Sequence, residues 1–136
     1  MILTGVLKRV GGGISENSRS GPTFIDALEV TGHAEIRNVR GTRYIIDHVN
    51  SAVGKDVSIG LVGKAIVAIK HDDGFYKDES FSSIIISNAP LLIAGLIVLM
   101  TIAAFAGTVA VIGLVGLYFY FRQRVRGVIS AVAAGA

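Results

Sequence analysis

The chain has 136 residues, of which 13 are Lys or Arg and 10 are Asp or Glu, with 51% apolar residues and no cysteine. That length allows one domain, or a very small domain with an appendage, and the missing cysteines exclude disulfides, thiolate nucleophiles and cysteine metal sites. A pI near 9.5 invites a nucleic-acid reading, but residues 1–82 hold ten basic and ten acidic residues, so the net charge of +3 is Arg122, Arg124 and Arg126 alone.

Basic residues confined to one short flank are not the footprint of a DNA- or RNA-binding surface, which gathers them on a folded face. The acidic residues also divide the chain: all lie at or before Glu79, and no charge occurs between Glu79 and Arg122. This asymmetry predicts a soluble β-rich domain at 1–82, a transmembrane segment at 83–126 and a small apolar tail at 127–136.

At the N-terminus, Lys8 and Arg9 follow the apolar stretch instead of preceding it, and three glycines come next, so export by an N-terminal signal is not expected. Short Val- and Ile-rich runs punctuated by glycine then predict strands at 2–10, 23–30, 34–39, 43–49, 56–62 and 65–71. An exposed helix is weighed around 48–53, where the alternation lapses. Residues 11–22, rich in Gly and Ser, read as one long loop. Thr31-Gly32 and Gly63-Lys64 read as hairpin turns, because glycine accepts the positive φ a tight reversal demands, and Asp73-Gly74 as the end of the last strand. Five or six strands in so short a span suit a small barrel of the OB-like or SH3-like kind.

Little in this half points to chemistry. His33 and Glu35 share one face of a strand, but no second ligand pair with metal-site spacing follows. His48 and His71 sit beside Asp47 and Asp72. The two Gly-Lys steps lack the glycine five positions earlier and the following Ser or Thr that a phosphate loop needs. No Gly-x-Ser-x-Gly elbow occurs. The reading is therefore not an enzyme, with no cofactor and no metal.

From position 84 to 121 the chain runs for 38 residues without a charge. A bilayer core takes about 20 apolar residues as a helix, so one straight span would overrun it. A helical hairpin reversing near 105–108, at Gly107, is expected, with one long transmembrane helix as the alternative. The hairpin places the aromatic clusters at Phe81 and at Tyr118 and Tyr120 on one membrane face. It also satisfies the positive-inside rule through Arg122, Arg124 and Arg126 without exporting the domain. Ala103, Ala106, Gly107, Ala110, Gly113 and Gly116 recur at helical spacing as a small-residue packing face.

Together these features predict a membrane-anchored structural or interaction subunit, integral to a membrane of the bacterial inner type, with its β domain cytoplasmic. Its partners would be the lipid bilayer and other copies of itself or a larger membrane complex. The alternatives are a membrane-active pore former of the holin-like or toxin-like kind and, more weakly, a membrane-tethered OB-like nucleic-acid binder. The last rests on Phe24, Tyr44, Phe75 and Tyr76 as stacking platforms.

Overall fold

The computed structural model describes residues 1–15, 22–103 and 107–135. Its sheet is built from β1 (Ile2–Val10), β2 (Gly13–Ser15), β3 (Pro22–Val30), β4 (Ile36–Thr42), β5 (Asp56–Val62), β6 (Ala65–His71) and β7 (Gly74–Lys77). Helix α1 (Arg43–Ser51) separates β4 from β5, and α2 (Phe81–Ala103) and α3 (Gly107–Ala133) follow the sheet.

Strand β1 pairs antiparallel with β5, β5 with β6, β4 with β3, and β3 with β1. Strands β4 and β6 meet in parallel through Arg40 and Ala65. Following the pairs leads from β1 back to β1, so the sheet closes on itself, while β2 extends β3 and β7 extends β6. The two hairpin turns lie where expected: Gly32 and Gly63 carry φ of 84° and 62°, conformations that a side chain with a Cβ adopts only at a cost.

Two of the expected elements change. Residues 43–49 were expected to form a strand, on the evidence of their β-branched and aromatic side chains, but they belong to helix α1. Ile45, Ile46 and Val49 are buried, and with Ala52 they form one helical face over the core, while Arg43 and Asp47 pair one turn apart on the exposed face. Close entry of this helix depends on Gly41, where a Cβ would come within 2.8 Å of Ile45. Asp73-Gly74 does not end the sheet either; it reverses the chain into β7, whose residues pair with β6 from Ala68 to His71. Within 11–22, residues 13–15 form β2, and 16–21 lie outside the described residues.

Strands β5 and β6 are buried almost throughout, unlike β1 and β3, whose burial alternates. One set of their side chains, including Ile59, Leu61, Ile66 and Ile69, fills the closed sheet with Leu7, Leu28 and the α1 residues. The other set, Val62, Val67 and Ala68, meets a second cluster formed with Ile84, Phe121, Val125, Ile129 and Val132. Helix α3 therefore does not stop at the arginines. Residues 127–133, expected to belong to a separate small tail, form its last turns and dock on the sheet, crossing β5 at Gly60, where a Cβ would lie 2.7 Å from both Val128 and Val132.

Candidate functional site: the helix pair and its junction with the sheet

The start of α2 is fixed by its own polar residues. Ser80 Oγ accepts the Ser83 N–H at 3.1 Å, an N-cap that satisfies one of the orphan donors of the first turn. Just upstream, buried Asp78 accepts the Thr42 hydroxyl and the Ser80 N–H, so the entry to α2 is tied to the end of β4. Ser83, Ile84, Ser87 and Asn88 are all buried, and Ile84 packs with Val62, Val67 and Ala68, so the start of α2 lies against the sheet. Ser87 Oγ and Asn88 Nδ2 donate to the carbonyls of Ser83 and Ile84 one turn back. Pro90 then removes the helical donor to Ile86.

Beyond Pro90 the surface changes character. Ile93, Ile97, Val98, Val111, Ile112 and Val115 are exposed, and Met100 and Ile112 reach 76% and 68%. Helix α2 is long and apolar enough to cross a membrane, and only 17% of its most apolar stretch is buried, whereas the core helix of a soluble protein would be mostly buried. Among the described residues it is the one helix that meets this test, because the second half of α3 carries Arg122, Arg124 and Arg126.

The C-terminal part forms two helices, not one long one. A Cβ at Gly95 would come within 2.8 Å of Leu117, and one at Gly113 within 2.6 Å of Leu99. Arg124 Nη1 donates to Asn88 Oδ1 at 3.5 Å. All three pairs are centred on residue 106; of the positions where a reversal is expected, 105 and 106 lie outside the described residues, while Gly107 and Thr108 belong to α3.

The residues expected to form the packing face separate into groups. Gly113 takes the Leu99 side chain and Ala110 is buried, whereas Ala103 is exposed and Gly107 and Gly116 have no neighbour within 4 Å of a Cβ. Ala106 lies outside the described residues. Gly95, not singled out from the sequence, supplies the matching notch on α2; its signal was a lone glycine within a run of bulky apolar residues.

At the other end of the pair, the rings of Phe81 and Tyr118 stand 6.0 Å apart, bringing the two aromatic clusters together. Tyr120 is exposed. The arginines differ in their partners. Arg126 Nε pairs with Glu79 at 3.1 Å, Arg124 reaches Asn88, and Arg122 has no ion-pair partner among the described residues. Lys77 Nζ lies 2.8 Å from the other Glu79 oxygen. The Lys77 ammonium first, then the Arg126 guanidinium, holds the Glu79 carboxyl below its ordinary value.

The histidines have separate partners. His33 Nε2 stands 3.2 Å from the Thr4 backbone N–H, while Glu35 pairs with Arg37. His48 stacks on Tyr76 with ring centroids 3.7 Å apart. Buried His71 accepts the Asp73 N–H at Nδ1, and the Lys55 ammonium holds the Asp73 carboxyl below its ordinary value. Among the described residues no group of three or more His, Asp or Glu could hold a metal ion. The four aromatics considered as stacking platforms lie on three elements: Phe24 on β3, Tyr44 on α1, Phe75 and Tyr76 on β7.

A cleft with three cationic side chains in its lining opens where the three parts meet. It encloses about 400 Å³ and is lined by Arg40 of β4, Lys64 of the β5–β6 turn, Arg124 of α3, and Ser87, Asn88 and Leu91 of α2. The Arg40 N–H donates to the Lys64 carbonyl at 2.9 Å, which sets these two residues side by side. No family model, curated protein or solved structure matches this chain.

Proposed function

We propose that the protein is a membrane-anchored structural or interaction subunit. In this reading α2 and α3 form a helical hairpin in the bilayer, and an OB-like barrel stands at the membrane surface as a docking module for other copies or a larger membrane complex. The observation that carries the reading is the belt of exposed apolar side chains between residues 91 and 120, set beside a charge-balanced domain with its own packed core. So large an apolar surface is covered in a folded protein by lipid or by another protein.

Docking of residues 125–132 on the sheet supports the hairpin over a single crossing, since both ends of the uncharged segment are then held by one domain. With Arg122, Arg124 and Arg126 at that end, the positive-inside rule favours a cytoplasmic domain. Each apolar arm, 89–103 and 107–121, has 15 residues. At about 1.5 Å per residue an arm reaches about 22 Å against a core of about 30 Å, so the bilayer thins locally around the pair. The small groups at Gly95, Ala110 and Gly113 serve packing within this hairpin, which leaves the barrel surface and the outward helix faces for partners.

Extraction in mild detergent followed by size-exclusion chromatography with light scattering tests the assembly role. A defined oligomer, or a stoichiometric complex with a second membrane protein, is expected. A dispersed monomer with no co-purifying protein would contradict the role, and leakage of dye from liposomes bearing the chain would favour a pore former instead.

A further inference from the structure

We infer that the cleft between β4, the β5–β6 turn and the two long helices is a binding site for the phosphate of an anionic lipid headgroup; this rests on the membrane reading above. Three cationic side chains from three separate elements, Arg40, Lys64 and Arg124, line one cleft of about 400 Å³ that includes no carboxylate. Of the nine described Lys and Arg residues outside the cleft, six are matched within the protein: Lys8 by Glu29, Arg37 by Glu35, Arg43 by Asp47, Lys55 by Asp73, and Lys77 and Arg126 by Glu79; the other three, Arg9, Lys70 and Arg122, do not line this cleft. Among the described residues, none of the three cleft cations forms an ion pair.

Three positive charges lining one cleft repel one another, so an anion bound among them relieves that repulsion. Guanidinium groups fit phosphate oxygens through paired N–H donors, and a lysine ammonium adds a point charge. Asn88 steadies the arrangement: its amide donates to the Ile84 carbonyl, leaving Oδ1 to receive Arg124.

Position selects the ligand's source. The cleft ends at Leu91, 47% exposed and the first member of the apolar belt, so its mouth lies where headgroups meet the hydrocarbon core. Basic pockets at this level, on the arginine-flanked side of a membrane helix, recognise anionic lipid headgroups. A net negative headgroup is favoured over a zwitterionic one, since the latter brings its own cation into a cleft with no carboxylate to receive it.

The test uses the full-length chain purified in dodecyl maltoside, titrated with phosphatidylglycerol, phosphatidylcholine or inorganic phosphate and followed by native mass spectrometry and melting temperature. Phosphatidylglycerol is expected to give a saturable single adduct and a rise in melting temperature, and phosphatidylcholine neither. In the triple variant Arg40→Gln, Lys64→Gln, Arg124→Gln the lipid is expected to bind at least about tenfold more weakly, the effect of losing one or more charge-assisted contacts. Arg122→Gln, outside the cleft, is expected to bind as the parent does. Arg124→Gln alone, at an exposed position, provides the same comparison if the triple variant does not fold. Equal binding of the two lipids, or undiminished binding by the cleft variants, would overturn the inference. Stabilisation by inorganic phosphate equal to that by phosphatidylglycerol would overturn the lipid source. Alkaline carbonate extraction of cell membranes separates the two levels: release of the chain would defeat the membrane reading, whereas retention without a phosphatidylglycerol preference would defeat this inference alone.

Discussion

At Gly60 helix α3 comes close against β5, and the missing side chain is what permits it. Between Val128 and Val132 there is no room for a Cβ, so Gly60→Val must push α3 off β5 or distort the strand. Overpacking of this kind costs about 1–3 kcal/mol. The expected result is a lower melting temperature in detergent and faster proteolysis after Arg126, with Gly12→Ala, in open space, leaving both unchanged. Gly60 was legible as part of a strand but not as a docking notch, because a notch exists only relative to a partner 68 to 72 positions away in sequence. The same holds for Gly95, whose role depends on Leu117. Arg122, Arg124 and Arg126 were legible as a flank, yet their different environments come from the residues that face them: Asn88 of α2 for Arg124 and Glu79 of the β7–α2 connection for Arg126. Arg40 drew no notice in sequence, and Lys64 was read only in a hairpin turn and a Gly-Lys step without a phosphate loop, because the two share a cleft with Arg124 only once the sheet has closed and α3 has returned to it.

At the level of elements, Glu79 joins the β7–α2 connection to α3 through Arg126 and is itself held by Lys77. Its carboxyl titrates below its ordinary value in the folded protein, so the unfolded chain holds more protons at acid pH and stability rises with pH through this range. The contribution is complete above the unfolded carboxyl pKa of about 4.3 and is lost as pH falls through the lower folded value. Glu79→Gln is therefore expected to lower stability at pH 7 by no more than about 1 kcal/mol, as exposed ion pairs do, and to match the parent at the acid end. Thermal melts across that range check it; a difference that persists unchanged at low pH would exclude the ion pair as its cause. The elements themselves were unevenly legible. Strands β1, β3, β5 and β6 were clear from their Val- and Ile-rich runs and glycine turns. Helix α1 was not, since Tyr44, Ile45, Ile46 and Val49 are strand formers by propensity, and burial of the 45, 46, 49 and 52 face decided otherwise. The unbroken apolar runs of β5 and β6 carried an unread signal: a strand covered on both faces needs a second layer, and α3 is that layer.

For the whole molecule, the decisive relation is that the segment following the arginines returns to the sheet that precedes the apolar stretch. The sequence alone suggested this only through charge and aromatic placement; the contact of Val125, Ile129 and Val132 with Val62, Val67 and Ala68 gives it a physical cause. In the proposed arrangement, a hairpin anchored at both ends would hold the closed sheet at a fixed height and orientation over the bilayer, which suits a module that presents one surface to partners and one cleft to headgroups. Because the chain has no cysteine, single cysteines placed at exposed Asn50 in α1 and exposed Ser130 in α3 report the sidedness of both ends. With a membrane-impermeant maleimide, both are expected to react in inverted inner-membrane vesicles and neither in intact spheroplasts. Reaction of Asn50 from the outer face while Ser130 reacts only from the inner one would contradict the hairpin and, with it, the proposed function.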